Sequence, residues 1–180
     1  MAGLFSLGSP FDVFRQQPTR RRIFVSYHHG VDQAYYDEWT RFFHDQYDAV
    51  FDNSLERRID SDNVQYVIQR IRDTFIASTS CTIVLLGAQT PQRKYVDWEI
   101  KATLDKEHGL VGIVLPTCQL SSSGGPICPT RFVQDYASGH ARLGYRHSLT
   151  VDVLKQLIES AVAAPIATID NSHPMMQKNG

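Results

Sequence analysis

The chain has 180 residues, 42% of them hydrophobic, a formal net charge of -1 and three cysteines. That composition excludes disordered and fibrous classes, gives no bulk electrostatic pull toward nucleic acid or anionic membrane, and leaves an odd thiol count without metal-ligand spacing. A single globular domain in a reducing cytoplasm is the expectation, and at this length a folded chain buries about 70% of its unfolded surface.

Residues 1–20 carry no basic n-region with a long apolar run, so neither a signal peptide nor a membrane span is predicted there, and the stretch reads as an N-terminal tail. The short basic cluster from Arg15 to Arg22 reads as a solvated lead-in. "RIFVSY" (22–27) is β-branched and aromatic, the signature of a buried first strand ended by the polar "HHGVD". From Asp32 to Tyr47 the aromatics Tyr35, Trp39, Phe42 and Phe43 fall on one face of a helix. "DAVFDNS" (48–54) reads as a second strand, followed by a charged loop with Asp60 or Ser61 as N-cap.

Val64, Val67, Ile68, Ile71 and Phe75 then form an i, i+3, i+4, i+7, i+11 stripe, which predicts one regular helix to about Ala77. "CTIVLLG" (81–87) is apolar throughout and too short for a buried helix, so it is a central strand covered on both faces. "RKYVDWEIKATL" (93–104) is the next helix, and "LVGIVLP" (110–116) the next apolar strand. The following Ser/Gly/Pro segment reads as a loop, "ARLGYRH" (141–147) as an edge strand, and Leu154 to Val162 as a last amphipathic helix. The domain is therefore drawn over residues 21–165, with 166–180 as a C-terminal tail whose last stretch, "NSHPMMQKNG" (171–180), reads as frayed.

Strands alternating with helices imply right-handed crossovers and an α/β fold with about five parallel strands and helices on both faces, the flavodoxin-like form of the doubly wound sheet. Such sheets bind ligands beyond the carboxyl ends of their strands, here "SYHHG", "FDNS" and "GAQTPQRK". The familiar occupants are absent: there is no G-x-G-x-x-G, no aspartate ending the third strand, and no Ser/Thr/Gly-rich phosphate loop. What remains is Glu99. Helical spacing puts it on a stripe with Tyr95, Trp98 and Ala102, apart from a packing stripe of Val96, Ile100 and Leu104. A plainer reading keeps Glu99 as a first-turn acid favoured by the helix dipole.

The segments "RRIFVSYHH", "FDNS", "TSCTIVLLG", "RKYVDWEI", "GIVLP" and "PTRFVQDYASGHA" together resemble the bacterial stand-alone TIR-like family to which the TIR component of Thoeris anti-phage defence belongs. The resemblance spans about residues 21–163. It implies a TIR fold and, in catalytic members, cleavage of the nicotinamide–ribose bond of NAD, which is substrate rather than cofactor; no metal is implied. The family's catalytic glutamate maps onto Glu99, with Tyr95 four residues earlier where tryptophan is common. By the same resemblance Ser26, Tyr27 and His28 line the ribose and phosphate side, Phe51 and Asp52 close the opposite wall, and Arg93 with Lys94 attracts the pyrophosphate; Trp98, on the Glu99 stripe, is the remaining candidate site residue.

Each supporting residue has an alternative: Tyr27 as core, His28 and His29 as solvated loop residues, Asp52 and Ser54 as turn formers, Arg93 as part of a wet basic loop. The resemblance further implies self-association through TIR–TIR contacts, with Arg57 and Arg58 as candidate contacts, and a separate effector protein activated by the product. The leading expectation is an NAD glycohydrolase or ADP-ribosyl cyclase acting in anti-phage defence, its product linear, cyclic or conjugated. The alternatives are a TIR scaffold acting through homotypic contacts and a nucleotide-binding domain without turnover.

Overall fold

The computed structural model describes residues 21–43, 48–50 and 63–180. Among them, five strands form one all-parallel sheet: β1 (Arg22–Ser26), β2 (Asp48–Val50), β3 (Cys81–Leu86), β4 (Gly109–Val114) and β5 (Arg142–Tyr145), in the order β2-β1-β3-β4-β5. The register runs Ile23 to Cys81 across β1 and β3, and Cys81 to Gly109 across β3 and β4. Helices α1 (Gln33–Phe43), α2 (Val64–Arg70), α3 (Lys94–Asp105), α4 (Thr130–Ala137) and α5 (Val151–Val162) cover both faces. This is the flavodoxin-like arrangement the alternating pattern implied.

Side-chain alternation along the strands divides the core. Ile23 and Val25, Ile83 and Leu85, and Val111 and Ile113 point to one face, where Tyr36, Trp39 and Phe43 of α1 and Leu154 and Ile158 of α5 cover them. Phe24, Val84, Leu86, Leu110 and Val114 point to the other, against α2, α3 and Phe132 of α4. β3 is buried at every position because it is the middle strand with helices above and below. Gly112 lets Phe132 approach the sheet, since a Cβ there would lie 2.4 Å from its ring.

Several elements differ from the expectation. The helix after β2 is capped by Asn63, whose side chain accepts from Tyr66 N at 3.1 Å, rather than by Asp60 or Ser61. It does not run on as one α-helix: Ile71–Ile76 is a π-helical turn closed by Ala77 N donating to Arg72 O at 2.9 Å. The wider turn brings the consecutive pair Phe75 and Ile76 onto the core together with Ile71. The Ser/Gly/Pro loop ends at Pro129, and the stretch after it, to which no element was assigned, forms α4, which buries Arg131, Phe132 and Asp135. Residues 171–180 are not frayed: they lie along α3, held by hydrogen bonds to Arg131, Asp97, Trp98 and Lys94.

Candidate functional site

α3 begins just beyond the carboxyl end of β3, after a single 3-10 turn at Thr90–Gln92. Its N-terminal half therefore stands at the sheet edge where open parallel sheets place ligands. Glu99 is in the second turn and only 7% exposed, which rules out a solvated first-turn acid. The first-turn acid is Asp97, and it is paired with Arg131.

A short buried relay fixes the turn that carries Glu99. Thr103 Oγ1 donates to the Glu99 carbonyl at 2.8 Å. With its proton so used, Thr103 Oγ1 accepts from Thr82 Oγ1 of β3 at 2.6 Å. Helix and middle strand are thus joined by side-chain hydrogen bonds one turn from the carboxylate.

Glu99 opens on a cleft whose other described walls are Tyr27, His28, His29, Arg93, Tyr95 and Val96. Tyr27 sits just past β1, stacked on Tyr36 at 4.1 Å, tilted against His29 at 4.4 Å, and donating its hydroxyl to Gln33 Oε1 at 3.0 Å. Burial is the main cause that raises its phenol far above the ordinary range, so it stays a neutral donor; the nearby Tyr36 and Glu99 push the same way.

His28 is buried at 4% exposure rather than solvated, and its Nδ1 accepts from Val31 N at 3.0 Å. Tyr95 is half-buried and meets Trp98 edge-on at 5.1 Å, with Lys94 Nζ 5.2 Å from both ring centroids.

Beside the cleft lies a group the sequence pattern did not single out. Asp32, fully buried at the start of α1, lies under Gly87 at the end of β3. Thr117 Oγ1, beyond β4, reaches it at 3.5 Å, and Thr90 Oγ1 reaches it at 3.5 Å while also facing Leu85 O at 3.1 Å. Burial raises its carboxyl pKa; the His28 ring and the two threonines oppose that shift. Asp32 therefore ties the loops after β1, β3 and β4 together. The only sign of it in the sequence is an aspartate at a helix start.

The structure gathers Tyr27, His28, Arg93, Tyr95 and Glu99 in one cleft. Trp98 is not among its walls: it is 2% exposed in the core against Phe24 and α2, with its indole N–H donated to Met176 O at 2.8 Å. The Tyr95, Trp98, Ala102 stripe is thus a packing face as well, because α3 is covered on two sides. Ser26 ends β1 with its Oγ buried and without a hydrogen-bond partner among the described residues. Phe51, Asp52, Arg57 and Arg58 lie outside the described residues.

The cleft volume is about 10 Å3, room for about one water molecule. A larger concavity, about 640 Å3, lies on the outer face of α1 at Ala34, Tyr35, Glu38, Arg41 and Phe42, and it holds none of these strand-end groups. Among the described residues no group of three His, Cys, Asp or Glu is placed to hold a metal, and no helix is long and apolar enough to cross a membrane.

A parallel β2-β1-β3-β4-β5 sheet with helices on both faces is a flavodoxin-like α/β fold, the class to which TIR-like domains belong. A sequence model of the family described as Thoeris protein ThsB, TIR-like domain, matches residues 24–119, more than half of the chain, and the chain belongs to that family. No curated protein matches it.

Proposed function

We propose that this protein cleaves the bond between nicotinamide and ribose in NAD, releasing nicotinamide and an ADP-ribose-derived nucleotide that serves as a signal in anti-phage defence. The observation that carries the reading is Glu99, a carboxylate shielded from bulk water yet facing a strand-end cleft lined by rings and polar groups. As the C–N bond breaks, its electron pair leaves with nicotinamide and neutralises the pyridinium, so the positive charge passes to the ribosyl carbon. A fixed carboxylate in a low-dielectric cleft stabilises that oxocarbenium-like centre as it develops.

In this reading Glu99 accepts hydrogen bonds from the ribose hydroxyls, Tyr95 stacks near the nicotinamide, and Arg93 faces the pyrophosphate. Tyr27, His28 and the Ser26 hydroxyl supply polar contacts, and Phe51 and Asp52 form the opposite wall. Capture of the cation by water releases a proton and gives linear ADP-ribose; capture by the molecule's own adenine or ribose gives a cyclic product. A separate effector responds to the product, TIR–TIR contacts assemble the enzyme, and NAD is consumed as substrate with no cofactor, in the cytoplasm.

Incubation of wild type and Glu99→Ala with NAD at high protein concentration, read by liquid chromatography and mass spectrometry, tests this. Nicotinamide released by the wild type alone is expected, and the mass of the second product separates hydrolysis from cyclisation. Equal release by both proteins contradicts the role of Glu99. One observation favours a second reading, a scaffold acting through homotypic contacts: the cleft of about 10 Å3 does not enclose a dinucleotide unless it opens. That reading predicts self-association with no turnover of NAD.

A further inference from the structure

Residues 170–179 run along one face of α3. They meet the helix at Lys94, Asp97, Trp98, Lys101 and Asp105, which are spaced i, i+3, i+4, i+7 and i+11, a single stripe from first turn to last. Asn179 Oδ1 accepts from Lys94 N at 3.0 Å, giving the helix start a cap that Arg93, its own N-cap residue, does not provide. Met176 is bound twice, its N–H donating to Asp97 Oδ2 at 2.9 Å and its carbonyl accepting from Trp98 Nε1 at 2.8 Å. Asn171 donates to Asp105 Oδ1 at 2.7 Å and Lys101 O at 3.3 Å, and Met175 packs on the Phe24 cluster.

The anchor is Arg131 of α4, fully buried. Its guanidinium donates to Asp97 Oδ1 at 3.0 Å, Asn171 Oδ1 at 2.7 Å and His173 O at 2.8 Å, so one cation joins α3, α4 and the segment. Glu99 lies two residues beyond Asp97, turned about 200° around the helix, and so faces the cleft while the segment holds the opposite side.

We infer that residues 170–179 are a strap that sets the position of α3, with Asp97 and Arg131 as positioning residues, so that Glu99 is held at the cleft from behind. The inference rests on the reading of Glu99 as the catalytic carboxylate. A carboxylate acting on a developing charge loses rate steeply when displaced, by about 100-fold for roughly 1 Å. None of residues 170–179 is among the described walls of the cleft, so loosening the strap is expected to lower kcat while KM holds.

The test uses the full chain carrying Met175→Glu or Asn179→Ala, with Met175→Leu and Asn179→Asp as conservative partners that keep the apolar contact and the cap acceptor. Amide hydrogen exchange of α3 and steady-state nicotinamide release are both read. The first pair is expected to exchange α3 amides at least about tenfold faster and to lose about tenfold in kcat with KM within about twofold, while the conservative pair matches wild type. Unchanged exchange overturns the strap, and faster exchange with unchanged kcat overturns its positioning role. Should wild type release no nicotinamide, the reading of Glu99 fails on its own, and the exchange arm alone then supports or overturns the strap.

Discussion

Gly87 ends β3 directly above the buried Asp32, and replacing it with alanine tests whether that packing holds the strand-end loops together. A Cβ at residue 87 would lie 2.3 Å from both carboxylate oxygens of Asp32 and 2.6 Å from its Cγ. The Asp32 backbone cannot yield, because its N–H donates to His28 O at 2.9 Å and its carbonyl accepts from Tyr35 N and Tyr36 N at 3.1 Å. The side chain must therefore rotate out of contact with Thr90 and Thr117.

Overpacking costs about 1–3 kcal/mol, and a buried polar group losing its partners adds about 1–3 kcal/mol. Gly87→Ala is expected to destabilise by about 2–6 kcal/mol, a fall in Tm of about 4–24 °C at this chain length. Urea and thermal unfolding of Gly87→Ala, Asp32→Ala and the double variant measure it. The double variant is expected to be more stable than the sum of the singles by at least about 1 kcal/mol, because removing the carboxylate makes room for the methyl. A Gly87→Ala protein within about 0.5 kcal/mol of wild type, or an additive cycle, would refute the reasoning.

Other outcomes follow from the same geometry. Arg131→Met leaves Asp97 buried without its cation and should cost about 3–5 kcal/mol by denaturant titration; a loss under about 1 kcal/mol contradicts the anchoring role. Burial raises the Asp135 carboxyl to about 6, against opposing contributions from the Asp170 N–H, the His140 ring and Arg131. The folded state thus holds that proton more tightly than the unfolded chain, and this group's contribution to stability falls between about pH 4 and pH 6 and is flat above. Asp135→Asn should accordingly gain in Tm relative to wild type across that window, and a gap that narrows instead would reverse the sign. Glu107, at φ 58 in the cap of α3, occupies a conformation suited to glycine. Its replacement by glycine should raise stability by up to about 1 kcal/mol, read as a shift in urea midpoint.

The sheet was legible in the sequence because fully apolar runs such as "CTIVLLG" and "LVGIVLP" have few structural options at that length. The Glu99 cleft was legible through helix position and resemblance. Its described walls come from two short stretches, "SYHH" after β1 and "RKYVDWEI" at the start of α3. What periodicity could not supply was every contact between residues far apart in the chain. Trp98 looked like a site residue because its stripe is shared with Glu99, yet α2 and Met176 cover it. The C-terminal segment looked frayed because its polar, glycine- and proline-containing composition carries no period, while its order comes from Arg131 and α3, 40 and more residues away. Asp32 resembled an ordinary helix-start acid, and only the fold brings Gly87, Thr90 and Thr117 around it.

The most direct test of the central claim is nicotinamide release from NAD by Glu99→Gln, which keeps the shape of the side chain and removes its charge. The account predicts a folded protein with unchanged circular dichroism and a rate at least about 100-fold below wild type. A Glu99→Gln protein that turns NAD over within about threefold of wild type would contradict it, since losing a charge that stabilises the transition state by even about 1.4 kcal/mol costs tenfold.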